Sequence, residues 1–248
     1  MAAEADPFSP GHLSPRRVAV SPPRRVTRRQ IALAFERRGF PLTPEQTGQL
    51  SSFLEGICRW NRSVRLTGLR SPDAILESLL LESTEFLHLW DPPVSGRAVD
   101  VGSGAGIPGF PFKILRPHLS LLLVEANQRK AAFLKEMARQ LRLDGLEVLC
   151  ARVEDISRSK EHYGRYHAAF SRGAGPLGRL LPWVWPFLGR GGLFLIRQGR
   201  GYLDETEGAL RQWDGLGVKV AGERPIKGGR LLSLQKEDVS RETPSWVG

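Results

Sequence analysis

The chain has 248 residues, room for one large domain or for one domain with a smaller attachment. Its 41% hydrophobic content is enough to bury a core, which excludes wholesale disorder, and 27 Gly with 18 Pro fall short of a low-complexity composition. Lys and Arg outnumber Asp and Glu 36 to 26, and the resulting net charge of +10 favours polyanionic partners, nucleic acid above all.

Residues 1–26 read as a disordered basic arm. Arg16, Arg17, Arg24 and Arg25 stand against Glu4 and Asp6, and Pro7, Pro10, Pro15, Pro22 and Pro23 forbid an amphipathic helix. From Thr27 to about Trp90 the period is helical, so a helical N-terminal subdomain is expected over residues 27–90. Thr27 with Gln30 has the form of a capping box before Ile31, Leu33 and Phe35, and Gly39 ends that helix. Thr43-Pro44-Glu45-Gln46 is a stronger start, with a cap, a proline at the first helical position and Gln three residues past the cap. Leu50, Phe53, Leu54, Ile57 and Trp60 then share one helix face. Ser71-Pro72 opens a third predicted helix carrying Leu76, Leu79, Leu80 and Phe86. These stripes indicate packing and carry no chemistry.

After Asp91-Pro92-Pro93 the pattern changes, and residues 91–240 form a second expected unit, followed by a tail at 241–248. Short apolar runs at Ala98–Val101, Leu121–Val124, Leu146–Leu149, His167–Ser171 and Gly192–Ile196 alternate with helical stretches at Phe110–Leu115, Arg129–Leu143 and Leu177–Leu188. Such alternation predicts an α/β fold with a parallel sheet covered on both faces. Val218–Ala221 and Leu231–Gln235 suggest a closing pair of strands.

The most informative stretch is Asp100-Val101-Gly102-Ser103-Gly104-Ala105-Gly106-Ile107-Pro108-Gly109, where a buried strand runs into a loop with four glycines. Glycine admits positive φ and lets a backbone lie directly against a ligand. In an open α/β sheet, ligands bind outside the carboxyl ends of the strands, where this loop sits. Two ligand registers compete with a purely structural turn. Gly104, Gly106 and Gly109 satisfy the dinucleotide fingerprint, whereas Asp100 followed by Gly102, Gly104 and Gly106 fits the methyltransferase pattern D-x-G-x-G-x-G. A strand ending at Val101 makes Gly102 the first loop glycine and favours the second register. Asp100 then suits the ammonium of S-adenosylmethionine. The second strand ends in Glu125, an acid placed to accept ribose hydroxyls or, alternatively, to cap the helix that follows. After the third strand, Val153 and Glu154 stand where an adenine edge is read.

The chain resembles the small-subunit ribosomal RNA methyltransferase G family, also called glucose-inhibited division protein B. Val101-Gly102-Ser103-Gly104-Ala105-Gly106-Ile107-Pro108-Gly109 with Pro111, then Glu125–Leu134, Ala151-Arg152-Val153-Glu154 and Ser171-Arg172 carry the resemblance. Trp60-Asn61-Arg62, Leu66-Thr67 and Ile75-Leu76-Glu77 echo the family's helical N-terminal segment. The chain departs from the family at Arg65, Leu79, Glu82-Ser83, Gly173 and Arg197. The resemblance implies a Rossmann-like fold and S-adenosylmethionine-dependent methylation of guanine N7 in 16S ribosomal RNA. It implies cofactor contacts at Gly102, Ile107, Val153, Glu154 and Arg172, to which the residue reading adds Asp100, Gly104 and Glu125. Arg62, Arg65 and Arg197 are candidate RNA-backbone contacts, with 16S ribosomal RNA or the small ribosomal subunit as partner.

No acid–base dyad or nucleophile triad stands out, and His12, His88, His118, His162 and His167 are scattered. Guanine N7 has an in-plane lone pair and no proton, so alignment alone suffices, with Arg172 in a positioning role. Trp183, Trp185 and Trp213 read as core. Cys58 and Cys150 support neither a disulfide framework nor a cysteine-rich metal site. No apolar run reaches the roughly 18 residues of a membrane span, and a cytoplasmic protein is expected. At the level of residues, a copy that binds cofactor and RNA without turnover and an NAD-linked oxidoreductase stay open.

Overall fold

The computed structural model describes residues 25–237. All but the last two residues of the basic arm expected at 1–26, and the tail at 241–248, lie outside the described residues.

The N-terminal helices begin where the caps predict. Helix α1 (Arg28–Glu36) and helix α2 (Pro44–Trp60) each start with a closed capping box, Thr27 with Gln30 and Thr43 with Gln46. On α2 the stripe of Leu50, Phe53, Leu54 and Ile57 is fully buried, each side chain contributing roughly 1.5–3 kcal/mol. Phe53 packs on Phe110 and Phe133, with ring centroids 4.8 and 6.4 Å away. The third predicted helix is broken. It runs as α3 (Pro72–Ile75), a π-helical turn (Leu76–Leu80) and α4 (Thr84–Leu89), because the hydrogen bond from Leu81 N to Leu76 O closes an i→i+5 ring.

The remainder alternates as expected: β1 (Arg97–Val101), α5 (Gly109–Leu115), β2 (Ser120–Val124), α6 (Gln128–Leu141), β3 (Leu146–Leu149), α7 (Val153–Ile156), β4 (Tyr166–Arg172), α8 (Leu177–Val184), β5 (Leu188–Gln198), α9 (Tyr202–Gln212), β6 (Val218–Ile226) and β7 (Gly229–Lys236). Helices α7 and α9 have no counterpart in the pattern reading. Strand β1 pairs in parallel with β2 and β4, and the strand order is β3-β2-β1-β4-β5-β7-β6. Only β7 opposes its neighbours β5 and β6, so the expected closing pair is an antiparallel hairpin on a parallel sheet.

Period-2 alternation divides the core. Ala98, Leu121, Leu123, Phe170 and Leu195 face a cluster that includes α1 through α6, while Val99, Val101, Val124, Phe194 and Ile196 face α8 and α9. The N-terminal helices therefore share one hydrophobic cluster with α5 and α6 over the same sheet face. Between β1 and β4 the chain's direction of travel across the sheet reverses, the topological switch point at which open α/β sheets bind ligands. Among the described residues, no helix is long and apolar enough to cross a membrane.

Candidate active site

Strand β1 ends at Val101, so Gly102 opens the loop in the methyltransferase register. Gly102 N and Ser103 N both donate to Val124 O, at 2.9 and 3.1 Å, which folds the loop across the end of β2. Gly102 and Gly104 have φ of +70 and +56°, a region side chains rarely adopt. A Cβ on Gly102 would stand 2.5 Å from the Cβ of Ala174 in the loop after β4. At Gly104 a Cβ would meet only Gly102 O, at 3.7 Å, because that residue faces an open cleft.

This cleft has a volume of about 480 Å³ and runs between the loops that follow β1 and β4. Small-molecule sites span roughly 300–1,000 Å³. Gly102, Gly104, Ile107, Glu125, Val153 and Glu154 all line it, and Arg172 forms part of its far wall. Seven of the eight residues read as cofactor contacts are thus brought to one cavity.

Asp100 is the exception, and its expected role beside an ammonium is corrected. On the strand it alternates with Val99 and Val101, and Val101 is the one that reaches the cleft. The Asp100 carboxylate is fully buried beneath the loop, where Oδ2 accepts from Gly109 N at 3.1 Å at the start of α5. Its Oδ1 has no hydrogen-bond partner among the described residues. Burial pushes the carboxyl pKa up to about 7, against the smaller opposing effect of the Gly109 N–H.

Glu125 stands at the end of β2 on the cleft lining, between the glycine loop and the start of α6. The residue is buried, 8% exposed. Oε2 accepts from Gly104 N and Oε1 from Asn127 N, each at 2.8 Å, so one side chain ties the glycine loop to the start of α6. Asn127 is the cap itself, accepting from Arg129 N and Lys130 N. Val153 and Glu154 begin α7, where first-turn N–H groups have no intrahelical acceptor. Glu154 Oε1 lies 3.8 Å from Arg152 Nη1.

Several cleft residues carry no local sequence signal for that role. Leu66 and Thr67 arrive on a loop shaped by Asn61, whose Oδ1 accepts from both their N–H groups at 2.9 and 3.0 Å while Nδ2 donates to Leu69 O at 3.0 Å. Leu79 comes from the π-helical turn, and Lys130 from α6. Trp183 also reaches the cleft, with the Arg179 guanidinium 5.3 Å over its ring; of the three tryptophans read as core, Trp185 is fully so and Trp213 is half-buried. Arg62 and Arg65 are exposed beside Leu66. Arg197 is half-buried, with Nε donating to Glu82 and Nη2 to Lys227 O. Among the described residues, no three His, Cys, Asp or Glu side chains converge as metal ligands would.

Solved structures share this architecture. A SAM-dependent methyltransferase from Aquifex aeolicus superposes with a TM-score of 0.50 at 14% identity, covering 66% of this chain and 93% of that one. A SAM-dependent O-methyltransferase from Thermotoga maritima gives 0.51 at 14% identity, covering 77% of this chain and 73% of that one. These likenesses show the fold, a Rossmann-like one shared with S-adenosylmethionine-dependent methyltransferases.

Sequence carries the assignment further. Residues 46–226 match the family described as rRNA small subunit methyltransferase G, or GidB. The ribosomal RNA small subunit methyltransferase G of Moorella thermoacetica is 32% identical over 217 residues, covering 85% of this chain and 90% of that protein. Its counterpart from Rubrobacter xylanophilus is 33% identical over 251 residues, covering 94% and 93%. The chain belongs to this family of methyltransferases.

Proposed function

We propose that the protein transfers the methyl group of S-adenosylmethionine to N7 of a guanine in 16S ribosomal RNA, in the cytoplasm. The observation that carries this reading is a nucleoside-sized cleft at the switch point, lined by the glycine loop, in a chain that belongs to the methyltransferase G family. Guanine N7 offers a lone pair and no proton, so aligned approach is the whole task.

The residues present fit the cofactor. The backbone at Gly102 and Gly104 leaves the cleft floor free of side chains, Glu125 supplies an acceptor for ribose hydroxyls, and Ile107 with the start of α7 at Val153 and Glu154 flanks the remainder. When bound, S-adenosylmethionine supplies an electrophilic sulfonium methyl. Arg172 on the far wall positions the guanine through an acceptor such as O6. It does not act as a catalyst, since positive charge moves towards the base as the methyl transfers. Arg62 and Arg65, exposed next to the cleft loop, bind RNA phosphates.

The test is transfer of radiolabelled methyl from S-adenosylmethionine to small-subunit RNA or particles lacking the modification, followed by mapping of the labelled base. Label on guanine N7 is expected. No label, or label on another atom, refutes the proposal.

A further inference from the structure

The pairing of β4 with β5 sets Arg172 directly beside Arg197. Neighbouring strands lie about 4.8 Å apart, and like charges at adjacent positions repel. One oxygen resolves the conflict: Glu82 Oε1 accepts from Nε of both arginines, each at 3.0 Å. The Glu82 side chain is 10% exposed and each arginine side chain 23%. The outer ends are fixed as well, Arg172 Nη2 on Ser78 O at 3.0 Å and Arg197 Nη2 on Lys227 O at 3.2 Å.

The local backbone explains how Glu82 comes to stand there. Ser78 lies within the π-helical turn Leu76–Leu80, and Glu82 follows it by two residues. A π turn widens the helix and interrupts its hydrogen-bond ladder, leaving carbonyls free for other donors, and such turns concentrate at functional sites. Leu79 of this turn and Arg172 both line the cleft, while Glu82 sits behind them. Two arginines and one glutamate leave a single net positive charge against the wall of a cleft read above as taking a cationic ligand.

We infer that Glu82 is a positioning residue that holds Arg172 at the cleft wall and cancels one arginine charge, so that the cleft accepts a sulfonium. The inference rests on the cofactor reading of the preceding section. Without the carboxylate, the wall gains one positive charge. A ligand with a positive sulfur feels that change in full; S-adenosylhomocysteine, with a neutral sulfur, feels it only through the groups the two ligands share. Loss of packing alone would weaken both ligands alike.

The experiment measures equilibrium binding of S-adenosylmethionine and S-adenosylhomocysteine, by calorimetry, to the wild type and to Glu82→Gln, Glu82→Asp and Arg197→Gln. Glu82→Gln is expected to weaken the sulfonium ligand about three- to tenfold more than the thioether. Arg197→Gln, which removes the cation behind the carboxylate, shifts the ratio in the opposite direction, and Glu82→Asp keeps it near the wild-type value. Equal losses for both ligands in Glu82→Gln, or a ratio moving the same way in both charge variants, overturns the inference. Should Glu82→Gln not fold, the sign of the shift in Arg197→Gln decides alone. A wild type that binds neither ligand refutes the cofactor reading itself, an outcome visible before any variant is made.

Discussion

Asp100→Asn tests the electrostatics beneath the glycine loop. The Asp100 carboxyl is fully buried, its pKa lifted from 3.8 to about 7, chiefly by desolvation. In the unfolded chain the same carboxyl ionises near its ordinary value, so between these two pH values the folded state binds more protons than the unfolded one. Stability must then fall as pH rises through that window, at up to about 1.4 kcal/mol per pH unit for this single group. Across about three units the penalty reaches an upper bound of roughly 4 kcal/mol, fully present above pH 7 and absent below pH 4. Asparagine cannot ionise, and its Oδ1 can still accept from Gly109 N. Its amide nitrogen replaces the unpartnered oxygen, and burying that donor costs about 1–3 kcal/mol at every pH. The difference in unfolding free energy between variant and wild type therefore moves in the variant's favour from pH 4 to pH 7 and levels off above. Urea unfolding at half-unit steps of pH reads this difference directly, and taking the difference removes the contributions of groups that titrate independently of Asp100. A difference independent of pH between 4 and 7 refutes the account of Asp100 as a buried, reluctantly ionised acid.

Other expectations concern the cleft and its rim. Gly104→Val places a β-branched side chain at φ +56° on the open cleft floor, and binding of S-adenosylhomocysteine should be lost in a protein that still folds; an unchanged Kd means that the loop is only scaffolding. Glu125→Ala leaves Gly104 N and Asn127 N without their acceptor. It should lower unfolding stability by about 2–4 kcal/mol and cofactor binding by about 1–3 kcal/mol; loss of stability with an intact Kd removes Glu125 from the ribose contacts. Arg62→Gln with Arg65→Gln should weaken RNA binding and flatten its salt dependence by about one unit of log–log slope per lost contact, leaving S-adenosylhomocysteine binding as it was. An unaltered salt slope places the RNA elsewhere.

How much of this was legible without coordinates depended on how local each determinant is. The capping boxes at Thr43 and Thr27 involve residues three apart, and both close as read. The glycine loop was legible for the same reason: positive φ and a bare backbone are properties of consecutive residues. The break in the third helix is not legible because apolar spacing over Leu76–Leu80 does not distinguish α from π winding. Helix α9 has no helical signature because Gly208 interrupts a stretch with few apolar residues. Asp100 stands at the strand end expected for it, yet which face of that strand meets the cleft is set by the layers that cover the sheet.

The sequence by itself determined the class of fold and the glycine loop that lines the cleft, since strand periodicity, helix caps and turn chemistry act between near neighbours. Tertiary structure alone decided where the charges go. Glu82 meets Arg172 and Arg197 across separations of 90 and 115 residues, and the Asp100 carboxyl is pushed up to about 7 by a burial that only the assembled layers create. Coulomb forces and desolvation depend on distance through space, and distance through space is what a linear order of residues leaves open.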